Sequence, residues 1–139
     1  MTVVADASVV VAALVDGGAA GTWAEPLLAR GVLAAPHLLP VEVGSALRRA
    51  ARAGQISTDS ASMAHEDLVA LRIELFPYAP FAARIWELRD HVSPYDAWYV
   101  AVAETLGAQL ATLDKRLARA HGLRCRVVTP PTYRGSPAR

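Results

Sequence analysis

The chain has one cysteine, Cys125, and one lysine, Lys115, in 139 residues. A lone cysteine excludes a disulfide framework and a cysteine-based zinc site, and it suits a reducing compartment such as the cytoplasm. The net charge is only +1, so no overall basic field draws nucleic acid to the surface. With lysine scarce, the positive charge falls on arginine, which suits two-pronged contacts with phosphate but is also what a GC-rich coding bias produces. The first residues carry no basic n-region and Asp6 interrupts their apolar run, which argues against a signal peptide. No uncharged apolar stretch has the length a bilayer span needs, so no membrane contact is expected. Internal repeats and linkers are also missing. The glycines at 17–21 follow an expected helix rather than a strand, so they are not a dinucleotide loop. His37, His65, His91 and His121 lack metal-ligand spacing.

What the chain has in plenty is apolar side chains, 53% of residues. That richness favours a surface used for self-association or for a partner, and Trp23 and Leu27 on an early helix are the expected place for it. The stretch S-P-Y-D-A-W-Y-V-A-V-A-E at 93–104 reads as the start of a buried helix. Ser93 suits the N-cap, Pro94 the first helical position and Asp96 the third. The residues after Asp96 are apolar all round, as in a core helix, so Trp98 and Tyr99 read as core rather than as base-stacking platforms. Asp96 therefore stands at the mouth of a buried element, where a carboxylate needs a partner or a cation.

In chain order, strands are expected at 2–5, 32–35, 73–78, 109–113 and 126–129. Helices are expected at 9–15 with Ser8 as cap, then at 22–30, 41–53, 58–71, 80–89, from 94 onward, and at 115–121. The alternation predicts an α/β fold with a parallel sheet covered on both faces. One domain spans 1–131, and 132–139 is a short polar tail. In such sheets ligands bind beyond the carboxyl ends of the strands, which singles out Asp6 and Asp114.

Four acids stand out by position: Asp6 ends the first strand, Glu42 lies in the first turn of the third helix, and Asp96 and Asp114 precede helical runs. Each has a local explanation: a turn with Ser8, the helix dipole, or a cap. Together they predict a cluster of carboxylates on one side of the sheet, which repel unless a cation neutralises them. Oxygen-only donors favour Mg²⁺ or Mn²⁺, the ions of metal-assisted phosphodiester hydrolysis.

The motifs V-V-A-D-A-S at 3–8, L-P-V-E-V-G-S-A-L-R-R at 39–49 and S-P-Y-D-A-W-Y-V-A-V-A-E-T-L-G-A-Q-L-A-T-L-D-K-R-L at 93–117 resemble the PIN-domain family, and within it the VapC ribonuclease toxins. The resemblance runs from the first strand to the last. It implies a three-layer α/β/α fold with a central parallel sheet of four to five strands and an acidic pocket for Mg²⁺ or Mn²⁺. It also implies an endoribonuclease, a homodimer, held inactive by a VapB-type antitoxin. The family's acids fall on Asp6, Glu42, Asp96 and Asp114, with Ser8 and Thr112 at small hydroxyl positions beside the first and last. Asp6 and Asp96 would be the main metal ligands, Glu42 would bind metal or orient water, and Asp114 would complete the negative pocket.

Arg48, Arg49 and Arg52 follow Glu42 on one helix, and Lys115, Arg116 and Arg119 follow Asp114 on another. Both groups are candidates for RNA phosphate contacts, with structured RNA presenting a loop as the implied substrate. Two further readings stay open: an RNA-processing nuclease with no toxin role, and a noncatalytic cation- and nucleic-acid-binding module.

Overall fold

The structure, a computed structural model, describes residues 1–131; the polar tail expected at 132–139 lies outside the described residues. Five strands make one parallel sheet: β1 (Thr2–Ala5), β2 (Val32–Pro36), β3 (Ile73–Phe76), β4 (Gln109–Ala111) and β5 (Val127–Val128), in the order β3-β2-β1-β4-β5. Val3, Val4 and Ala5 of the central strand are all buried, because β1 has strands on both edges and helices on both faces. Its register sets Val4 opposite Ala34 of β2 and Leu110 of β4.

The helices are α1 (Ala7–Val15), α2 (Ala19–Ala29), α3 (Leu39–Arg52), α4 (Thr58–Ala70), α5 (Ala82–Glu87), α6 (Pro94–Leu106) and α7 (Lys115–Ala118). Helices α1 to α4 pack on one another in one layer. The other layer is α6, which packs on α5 and on β1, β2 and β4. The result is the expected α/β/α sandwich, with β3 and β5 closing the sheet at its edges.

Sequence and structure agree on every expected strand and helix, with shifts at the ends that have physical causes. Helix α1 starts at Ala7, capped by Asp6 and not by Ser8, because the Asp6 carboxylate accepts from the Val9 N–H. Helix α2 begins three residues before the expected start, with Gly21 buried beside the α1–α2 turn: a Cβ there would lie 1.8 Å from the Asp16 carbonyl oxygen. The expected helix at 80–89 opens instead as a 3-10 turn, Ala79–Phe81, before α5. The core of α6 is as anticipated, with Ala97 and Tyr99 to Ala103 all buried, and Gly107 ends it in the left-handed region at φ 62°. No single helix among the described residues is long and apolar enough to cross a membrane.

Trp23 and Leu27 are half-buried and pack against the core, so they belong mainly to the fold and only in part to a surface.

Candidate functional site

All four singled-out acids lie at helix N-termini: Asp6 caps α1, Glu42 and Asp96 are in the first turns of α3 and α6, and Asp114 caps α7. The sequence reading had Asp6 as a strand end only; it is both. Parallel strands deliver their following helices at one edge of the sheet, so these N-termini share a side and their dipoles favour negative charge there.

Asp6 is held most firmly. Ser8 Oγ donates to its Oδ1 at 2.5 Å and Thr112 Oγ1 donates to its Oδ2. Each hydroxyl is oriented in turn by a backbone donor: Leu113 N–H to Ser8 Oγ at 3.1 Å, and Asp114 N–H to Thr112 Oγ1 at 3.0 Å. With the oxygen lone pairs engaged from behind, both hydroxyl protons are committed to the carboxylate. That arrangement leaves Ser8 no role as a nucleophile. It also links β1 to the far end of β4, since Thr112 is fully buried.

Glu42 has a partner that the sequence reading missed. The Tyr99 hydroxyl donates to Glu42 Oε1 at 2.7 Å, from a side chain only 2% exposed. Tyr99 is core, as expected, but its polar tip reaches the acids. The available signal was its spacing: Tyr99 follows Asp96 by three, which puts the two on one helix face.

Charge sets the character of the group. Burial pushes the Asp6 carboxyl up, against the pull of the Ser8 and Thr112 hydrogen bonds. Burial also pushes Glu42 up; the Tyr99 hydrogen bond opposes this, and the charges of Asp6 and Asp96 add to it. Asp96 is raised by burial and then by Asp6 and Asp114, against the Ser93 hydrogen bond and the positive field of Arg116. Asp114 goes the other way. Arg116 beside it, Nε to Oδ1 at 3.3 Å, holds its carboxyl below the usual range. So Asp6, Glu42 and Asp96 form a mutually repelling trio, and Asp114 stands at their edge with its own cation.

Among the described residues, no three His, Cys, Asp or Glu side chains stand close enough together to hold one ion directly. The donor set is oxygen-only and electrically unbalanced. It therefore fits a hydrated hard cation met by one or two carboxylates and through water by the rest, as Mg²⁺ is, and does not fit a fully dehydrated cage.

The basic candidates divide. Arg49 lines a cavity of about 590 Å³ between α1 and α3 that Glu42 also lines, whereas Arg48 lines a separate one between α3 and α4. Arg49 donates to Ser45 at 2.9 Å, and Arg116 donates to Asp114 with its side chain 90% exposed. Arg52 and Lys115 are exposed.

Comparison with known proteins gives the family and the fold. The family model described as PIN domain matches residues 3–123. Ribonuclease VapC1 of Mycobacterium tuberculosis is 43% identical over 125 residues, covering 89% of this chain and 94% of the relative. Ribonuclease VapC9 of the same organism is 36% identical over 129 residues, covering 93% and 98%. Among solved structures, PAE2754 from Pyrobaculum aerophilum superposes with a TM-score of 0.69 at 24% identity, covering 91% of this chain and 83% of that one. VapC20 of Mycobacterium tuberculosis, described as a sarcin–ricin loop cleaving toxin, gives 0.65 at 20% identity, covering 89% and 98%.

Proposed function

This chain belongs to the PIN-domain family, in its VapC branch, and from that premise we propose that it is a metal-dependent endoribonuclease, the toxin of a toxin–antitoxin pair. The observation that carries the reading is the trio Asp6, Glu42 and Asp96, whose carboxyls are raised by burial and further by neighbouring carboxylates, Asp6 and Asp96 at Glu42 and Asp6 and Asp114 at Asp96. A fold that tolerates such repulsion has a use for concentrated negative charge. Asp6 and Asp96 would hold Mg²⁺ or Mn²⁺, directly or through water, with Glu42 and Asp114 completing the pocket. When bound, that ion supplies a water of lowered pKa and positive charge beside the scissile phosphate.

The chain's own residues do the rest. Ser8 and Thr112 fix the Asp6 carboxylate in place, one hydroxyl on each oxygen. Tyr99 fixes Glu42, whose remaining oxygen orients the attacking water or meets the ion. Arg116 hydrogen-bonds Asp114 and holds its carboxyl below the usual range, offsetting part of the negative charge at the edge of the group. RNA phosphates would meet Arg49 beside Glu42 first, with Arg48, Arg52, Lys115 and Arg116 as outer contacts. The protein would act in the cytoplasm, as a homodimer. Its VapB-type antitoxin would lay an apolar segment in the groove between α1 and α3, walled by Val11, Val15, Ala46 and Ile56, with a basic side chain toward Glu42.

The test is cleavage of total cellular RNA by antitoxin-free protein, first with Mg²⁺ or Mn²⁺ and then with EDTA. Cleavage that starts with metal and stops with EDTA is the expected result. Cleavage at an equal rate under chelation overturns the metal mechanism, and no cleavage in either overturns the ribonuclease reading.

A further inference from the structure

One exposed aromatic group lies beside the acids and has no part in the arrangement above. Tyr95 immediately precedes Asp96 and is 61% exposed, and Tyr78, just past the end of β3, is 45% exposed. With Leu38, Pro94 and Trp98 they line a recess of about 180 Å³. Leu38 caps the helix that carries Glu42, and Pro94 opens the helix that carries Asp96. The recess is thus built at the N-termini of the two helices that carry Glu42 and Asp96. Trp98 is fixed in its wall by an edge-to-face contact with Tyr78 at 5.3 Å between ring centres. Trp98 Nε1 is the one buried side-chain polar atom without a hydrogen-bond partner among the described residues.

An apolar, aromatic-walled hollow of this size, open to solvent beside a phosphodiesterase centre, has the chemistry that takes one unpaired base. Bases stack on aromatic side chains whatever their sequence, because every base has a π-face. The lining residues carry no charged side chain, and two of them, Tyr95 and Tyr78, are exposed aromatic rings. We propose that the Tyr95–Tyr78 recess is a nucleobase subsite, in which a splayed-out base of single-stranded RNA stacks on Tyr95 and so presents an adjoining phosphate to Asp96 and its neighbours. The subsite rests on the ribonuclease reading, whose substrate class it narrows to RNA with an unpaired base at the cut.

The test reads binding and not cleavage, in EDTA, with fluorescein-labelled A9 and U9 RNA strands and a nine-residue abasic strand carrying the same phosphates. By anisotropy, the wild type should prefer the strands with bases by about tenfold, the range of one stacking contact. Tyr95→Ala should lose that preference and bind all three strands alike, and Tyr95→Trp should keep it. Equal base preference in Tyr95→Ala and wild type overturns the subsite. A Tyr95→Ala protein that keeps its base preference but sediments as a monomer where the wild type is a dimer also overturns it, in favour of a protein contact. Absence of metal-dependent cleavage in the wild type sinks the ribonuclease reading separately, since the binding measurement does not need catalysis.

Discussion

Tyr99→Phe removes one oxygen from the core and leaves the ring and its packing in place. The lost interaction is the 2.7 Å hydrogen bond to Glu42. A hydrogen bond to a charged acceptor contributes about 1.5–3 kcal/mol, but Glu42 is partly exposed and water replaces some of the donor. The expected loss is therefore about 1–2 kcal/mol, or a Tm lower by roughly 3–8 °C for a chain of this length. Glu42→Ala has two opposed effects. It strands the Tyr99 hydroxyl inside the core, at a cost of about 1–3 kcal/mol, and it relieves the repulsion from Asp6 and Asp96. In that background, adding Tyr99→Phe removes the stranded hydroxyl and should raise stability. The sign of the same substitution thus reverses between the two backgrounds. Urea unfolding of wild type, both single variants and the double variant measures this as a coupling energy. A Tyr99→Phe effect of the same size and sign in both backgrounds would refute the assignment of Tyr99 as the residue that holds Glu42.

Other outcomes follow from the charges and the close approaches. Asp96→Asn should hold or raise stability without metal at pH 7 and abolish the gain in Tm on adding Mn²⁺. Because the folded carboxyl is raised, its charge costs stability as pH rises from its ordinary value of 3.8 through the folded value, so this contribution to the difference from wild type should be gone below 3.8; a mutant less stable at pH 7 that still gains from Mn²⁺ contradicts this. Arg84 donates from Nε and Nη2 to both oxygens of Glu104 at 2.7 and 3.0 Å and from Nη2 to the Gly122 carbonyl at 2.7 Å. Arg84→Ala should cost about 2–4 kcal/mol in urea unfolding, because it leaves Glu104, 11% exposed, without its counter-charge. Here the sign is opposite: Glu104 stays lowered despite its burial, chiefly through the Arg84 hydrogen bond, so its stabilising share is present at neutral pH and is lost on acidification. Gly21→Ala should destabilise by about 1–3 kcal/mol by calorimetry, because the new methyl meets the Asp16 carbonyl and neither backbone can move freely.

The layers, the five strands and the four acids were legible because they rest on local pattern. Short apolar runs and caps such as Ser93 act within a few residues. The support of those acids was not legible in that way. Thr112 reaches Asp6 across 106 positions and Tyr99 reaches Glu42 across 57, and no local period encodes such distances. Family motifs supplied Thr112, whereas Tyr99 was set aside because an aromatic ring inside an apolar helix reads as packing. Ser8 was given the cap of α1 because it is the better-placed hydroxyl in sequence. Asp6 takes that role instead, because its backbone continues the β1 ladder, with N–H to the Ala111 carbonyl at 3.1 Å, before the turn into the helix.

The order of the strands also governs how the protein is made. The sheet is centred on β1, yet its two neighbours come at 32–36 and 109–111, so one flank of β1 can be zipped early and the other only after about 75 more residues leave the ribosome. At ordinary elongation rates that is an interval of roughly 4–15 s. During it the strand next to Asp6 has an open edge, a template for wrong pairing that a chaperone or a partner made at the same time would cover. Thr112 and Asp114 arrive only with the closing strand and just after it, so the acidic pocket is among the last things to be completed. A half-made chain therefore lacks the hydrogen bond from Thr112 that holds Asp6, and its acids are not yet assembled on one side of a closed sheet.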